Sequence, residues 1–227
     1  LKPQDTEQQY LNLESFHLER ALDKMNYIEH TLGTLLSRIR NHDSQVLTKS
    51  PAFTDIPTPT INLECPECGP SGSPMLRHHS DYGGENFPHL TWDNAPPGTV
   101  EYLLIVEDVD APVPFPACHG LFYRIAASFK ELKAEDFHMV EGEVKGKLSG
   151  GFYYGANAGW NHYAGPRGLL GHGPHRYVYQ LVALNEKLNV SKLRGKVTKS
   201  AVEKAIVGTV GGYGVWVGTW ERVWGAS

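Results

Sequence analysis

Gly171-His172-Gly173-Pro174-His175-Arg176-Tyr177-Val178-Tyr179-Gln180-Leu181-Val182-Ala183-Leu184 begins as a glycine- and proline-stiffened loop and ends as an apolar run. A run of that length, rich in β-branched and aromatic residues, reads as a strand buried on both faces. Working outward, Tyr102-Leu103-Leu104-Ile105-Val106 and Leu121-Phe122-Tyr123-Arg124-Ile125 have the same character, and Val215-Trp216-Val217-Gly218-Thr219-Trp220 supplies a last strand. Ile56, Ile61 and Leu63 are short strand material in the proline-punctuated stretch 51–74. One short helix is expected at 200–207, with Ser200 and Glu203 in capping-box spacing. These elements predict a mainly β (α+β) body with no internal repeat.

Residues 6–40 have a different style. They hold no proline and one glycine, Gly33, while Leu18, Leu22, Met25, Leu32, Leu36 and Ile39 recur at helical steps. Thr6 with Gln9 forms a capping-box start. Arg38 and Arg40 fall in the expected last turn, and Asn41 suits a left-handed stop. The apolar stripe is expected to pack on the chain's own body. A homodimer through this helix is the second reading, although Glu29 interrupts the seam. The expected division is a helical extension over 1–50 and a β domain over 51–227.

Composition excludes several classes. Of 227 residues, 41% are hydrophobic and 20% charged, and 8 Phe, 11 Tyr and 5 Trp supply core material that a disordered chain lacks. A net charge of −4 gives no basic footprint for nucleic acid. No run is long and apolar enough for a transmembrane helix. Cys65 and Cys68 form a lone CxxC, without the second ligand pair of a structural zinc site, and read as two turn residues; Cys118 stands alone. Neither a metal nor a cofactor is expected. The chain starts at Leu1, which suggests a trimmed segment, and residues 1–17 contain no signal-peptide core. The Asn189-Val190-Ser191 sequon leans mildly towards the secretory pathway, with the compartment left open.

Three clusters carry candidate chemistry. Asp108 and Asp110, at i and i+2 where a strand runs out before Ala111-Pro112, can face one cleft or simply cap a turn. His119 opens the next strand; histidine as a residue type changes charge near neutral pH, so beside an aspartate it can carry a proton, while alone it is more often structural. The third cluster runs from Gly165-Pro166 to His175-Arg176-Tyr177, where glycines let backbone amides approach a ligand. His119, His162, His172 and His175 show no metal-ligand spacing.

Taken in order, these clusters resemble the phosphatidylethanolamine-binding protein family. Asp108-Val109-Asp110-Ala111-Pro112 is similar to its Asp-Pro-Asp-Ala-Pro, His119 to its second signature histidine, and Gly171 to Tyr177 to its loop ending in His-Arg-Tyr. Glu85-Asn86-Phe87-Pro88-His89-Leu90-Thr91-Trp92 and Ala95-Pro96-Pro97-Gly98-Thr99 fit the upstream segment. The resemblance implies a large antiparallel sheet packed on a smaller one with peripheral helices, the helix of 6–40 being extra. It also implies a pocket for a small anion, a carboxylate, a phosphate or a lipid headgroup, drawing on Asp108, Asp110, Pro112, His119, Gly165, Pro166, His175 and Tyr177. Val109, Ala117 and Gly168-Leu169 depart from the family pattern and suggest a wider, more mobile mouth. Beside simple binding stands an enzyme reading. Some fungal relatives serve polyketide pathways that join anhydride or dicarboxylate units into maleidride-type dimers, and there His119 with Asp108 would perform acid–base catalysis. A scaffold or inhibitor acting through its surface is the third reading.

Overall fold

The structure, a computed structural model, describes residues 3–140, 142, 146–159, 161–193 and 196–225, with side chains from residue 20 onward except Lys192. Among them are the strands β1 (Asn62–Glu64), β2 (Leu90–Asp93), β3 (Glu101–Asp108), β4 (Ala117–Ala126), β5 (Glu131–Leu132), β6 (Tyr153–Tyr154), β7 (His175–Leu184) and β8 (Val210–Trp220). The helices are α1 (Pro3–Leu36) and α2 (Lys199–Ala205). An antiparallel five-stranded sheet in the order β6-β4-β3-β7-β8 packs against a three-stranded sheet, β1-β2-β5. The chain is therefore mainly β, as its sequence predicts.

Strand β3 is buried along its whole length because each of its faces meets a different core. Tyr102, Leu104 and Val106 point between the sheets, onto Leu63, Leu90, Trp92, Phe122, Tyr179 and Trp216. Leu103 and Ile105 point the other way, onto Leu47, Phe53, Leu121, Val182, Val202 and Ile206. A continuous apolar run, rather than an alternating one, is what a strand covered on both sides requires. By the same period-2 rule, Glu107 and Asp108 leave the strand end on opposite faces.

Helix α2 spans Lys199–Ala205 rather than the expected 200–207, and its cap lies two residues ahead of Ser200. Its cap is Thr198, whose hydroxyl accepts from the Ala201 amide, so Ser200 lies inside the helix. Of the short-strand candidates, Leu63 lies in β1, while Ile56 and Ile61 precede it.

The long helix is present, but its ends and its docking differ from the expectation. It starts at Pro3, ahead of Thr6; the side chains of Thr6, Gln9 and Leu18 lie outside the described residues. It stops at Leu36, so Arg38 and Arg40 follow it, and Asn41 takes φ +66° in the next turn. The helix lies on its own chain through polar and small residues rather than through the stripe. Glu29 accepts from the Leu170 amide and pairs with Arg222, whose guanidinium also reaches Asn26. His172 Nε2 donates to the Leu36 carbonyl, and His30 meets Trp224 edge-on. Glu29, which breaks the apolar seam, is thus a docking residue. Most of the stripe is open to solvent, Leu22 being 50% and Met25 65% exposed.

Gly33 makes this docking possible. A Cβ there would sit 2.2 Å from the Leu170 carbonyl oxygen, inside any van der Waals contact. In a helix free in solution, Gly33→Ala would stabilise by roughly 1 kcal/mol. Here it should instead lower the melting temperature and speed amide hydrogen exchange in residues 20–36 and 168–173; a raised melting temperature would contradict the docking.

Candidate functional site

The site grows from the ends of β3, β4 and β7. Asp108 pairs in register with Tyr177 at the start of β7. Between β3 and β4 the register slips: Val106 faces Gly120 and Glu107 faces Cys118, leaving His119 as the extra residue of a β-bulge. A bulge re-aims the side chain it carries. His119 is swung towards Asp108 and Tyr177, its ring meeting Tyr177 edge-on at 5.0 Å. Gly120, next to it, has no room for a Cβ, which would lie 2.7 Å from the Phe122 ring.

Asp108 Oδ2 accepts from His175 Nδ1 at 2.8 Å and lies 3.9 Å from His119 Nε2, so one carboxylate oxygen serves two imidazoles. Its Oδ1 accepts from the Asp110 amide. His119 Nδ1 donates to the Ala164 carbonyl at 2.8 Å, which leaves Nε2 as the basic nitrogen. His175 Nε2 is buried without a hydrogen-bond partner. Burial first, then the Asp108 charge, push the Tyr177 phenol well above its ordinary pKa, so it stays neutral; its oxygen accepts from the Arg167 amide.

Four of the expected residues, Asp108, His119, His175 and Tyr177, therefore converge. Gly165 and Pro166 adjoin them, but for a reason other than amide donation. The Gly165 amide is already given to Glu85 Oε1, and a Cβ on Gly165 would lie 2.6 Å from the His79 carbonyl, so glycine is needed for close packing. Asp110 faces elsewhere. Its oxygens accept from the Asn41 amide and from the Arg176 amide, Nε and Nη2, at 2.8–3.1 Å. Pro112 sits in the turn after β3, outside the lining of the cavity.

That cavity, about 360 Å³, is lined by His119 and Gly165 together with Asp81, Glu85, Asn161, Tyr163, Ala164 and Arg167. Asp81, Asn161 and Arg167 were not singled out from sequence; the Asp81-Tyr82-Gly83-Gly84-Glu85 turn, with acids at both ends of a glycine pair, was the available signal. Arg167 pairs with Asp81 at 3.3 Å, so the cation at the mouth already has an anion. Gly168 abuts the His175 ring, and α1 holds Leu170 and His172 from outside.

This architecture is matched by known proteins. The family model for phosphatidylethanolamine-binding protein matches residues 63–221, and the chain belongs to that family. It is 37% identical over 88% of its length to a fungal protein named phomoidride biosynthesis cluster protein B, covering 97% of that relative. The protein of the same name from Talaromyces stipitatus is 35% identical, over 87% of this chain and 82% of the relative. In fold, the chain is similar to a phosphatidylethanolamine-binding protein homologue from Chlamydia trachomatis (TM-score 0.59, 22% identity, 73% of this chain and 99% of that one). YbcL of E. coli gives a TM-score of 0.55 at 21% identity, over 72% and 99% of the two chains.

Asp110 has a measurable signature. Burial alone would raise its pKa, but the hydrogen bonds and charge of Arg176 outweigh burial and hold it below its ordinary 3.8. A carboxylate lowered on folding stabilises above its unfolded value and loses that contribution as pH falls through the folded one. Wild type should therefore exceed Asp110→Asn in urea-unfolding free energy by about 1–3 kcal/mol near neutrality, the gap closing below pH about 4. A gap independent of pH would contradict this pairing.

Proposed function

We propose that this chain is an enzyme of fungal secondary metabolism that joins two anhydride- or dicarboxylate-bearing units through a carbon–carbon bond, as in maleidride pathways. The observation that carries this reading is the bulged His119. Its tautomer is set by the Ala164 carbonyl, its Nε2 is free to act as a base, and the Asp108 carboxylate stands 3.9 Å away to stabilise the imidazolium that results. The relatives named for phomoidride biosynthesis support the setting. The lining of the cavity, with Asp81 and Glu85 against Arg167, suits the uncharged anhydride form of such a unit better than its dicarboxylate.

In the proposed step, His119 Nε2 takes a proton from the carbon beside an anhydride carbonyl, and the C–H electron pair passes into an enolate. The enolate carbon adds to the unsaturated carbon of a second unit, and the imidazolium returns its proton to the carbanion formed there. No oxidant or other co-reactant is consumed. Arg167 and the Asn161 amide would steady substrate oxygens at the mouth, and Tyr177 with His175 would hold Asp108 in place.

Incubation of the purified protein with an anhydride monomer, followed by chromatography and mass spectrometry, tests the reading. The coupled dimer should form, and its rate should fall about 10²–10⁴-fold in His119→Gln, the usual worth of a positioned base. Arg167→Met should raise KM more than it lowers kcat. Coupling at the wild-type rate in His119→Gln would overturn the mechanism. Saturable binding of unreacted dicarboxylate or lipid headgroup, with no product, would identify a binding module instead.

A further inference from the structure

A second cluster of chemistry-bearing side chains stands behind the cavity wall. Glu67, from the Cys65-Pro66-Glu67-Cys68 turn, meets His78 and His79 of the short 3-10 turn Arg77–His79. His79 Nε2 is 3.4 Å from Glu67 Oε1, His78 Nε2 is 3.7 Å from Glu67 Oε2, and the potential ligand atoms of all three residues lie within 4.8 Å of one another. Zinc bonds of about 2.0–2.1 Å in tetrahedral array separate ligand atoms by roughly 3.4 Å, close to this spacing.

Two details distinguish the cluster from a chance meeting of polar groups. The His79 side chain is 1% exposed, yet its Nε2 makes no regular hydrogen bond, facing the Glu67 carboxylate with the Cys68 thiol nearby, an arrangement that normally costs stability. Its Nδ1 donates to the Asn86 carbonyl at 2.9 Å, which leaves Nε2, the ring nitrogen facing Glu67, as the one that can give up its proton to a metal ion. An imidazole oriented through its far nitrogen is the usual state of a metal-bound histidine. Glu67 is oriented in turn by the His89 amide, which donates to Oε1.

We infer that Glu67, His78 and His79 form a binding site for a divalent transition-metal ion, zinc by ligand type. Two imidazoles and a carboxylate suit a borderline ion better than a hard one such as magnesium or calcium. The CxxC is then significant less for its thiols than for the acid it carries between them. The site ties together the turn after β1, the 77–79 turn and the segment entering β2. The His79 carbonyl and Asp81 amide pack directly beneath Gly165, so an ion here would stiffen the Asp81–Glu85 wall of the cavity.

Zinc titrated into chelator-treated protein, followed by calorimetry and thermal melting, tests the inference without reference to catalysis. One saturable site per chain and a raised melting temperature are expected. Glu67→Gln and His78→Asn, at positions open enough to leave the fold intact, should each weaken binding by more than about tenfold. The double variant should lose the thermal shift. Absence of saturable binding, or wild-type affinity in the double variant, would overturn the site.

Discussion

The row of carboxylates at the end of β3 is the constraint on which the rest of this molecule depends. Glu107, Asp108 and Asp110 are all buried, and a buried carboxylate without partners is costly by several kcal/mol. Each is matched by groups from far along the chain. Glu107 takes the Leu47 amide, the Gln180 side chain and Lys199; Asp108 takes His175; Asp110 takes Arg176 and the Asn41 amide. The three acids thereby fasten the segment after α1, the start of α2 and the start of β7 to one strand end. The site exists where those attachments meet.

Neighbouring acids acquire different tasks through geometry alone. Alternation along the strand sends Glu107 to the face packed by α2 and Asp108 to the face between the sheets. Past the strand end, Asp110 turns towards Arg176. A single inserted residue in β4 then decides that the imidazole facing Asp108 is His119. Without the bulge, the same sequence would present Cys118 or Gly120 at that level, and neither can exchange a proton with a buried carboxylate at neutral pH. Burial, aided by Glu107, pushes the Cys118 thiol up to about 12.

Much of the architecture was legible because strand burial leaves a direct trace in composition. The runs at 102–106, 121–125 and 177–184 fall within β3, β4 and β7, and motif order pointed to the family. Side-chain partnership left a weaker trace. Nothing in Asp108-Val109-Asp110 says that one acid meets imidazoles and the other a guanidinium, since that depends on which residues the β3–β7 register brings alongside. The packing role of Gly165 is hidden in the sequence for a related reason. Glycine permits both an exposed amide and a close packing contact, and only the neighbouring atoms distinguish the two. Arg167 and Asp81 escaped notice because an exposed arginine and a turn aspartate are ordinary surface residues until a cavity lies between them. The stripe on α1 was visible, but hydrophobic periodicity announces a helix without saying which side it rests on.

Helix α1 bears on the loop before β7 through a backbone-to-backbone touch at Gly33 and a few polar clasps, while its apolar row looks outward. The seat of α1 and the setting of His175 thus share one short loop, since His172 bonds the Leu36 carbonyl and Gly168 abuts the His175 ring.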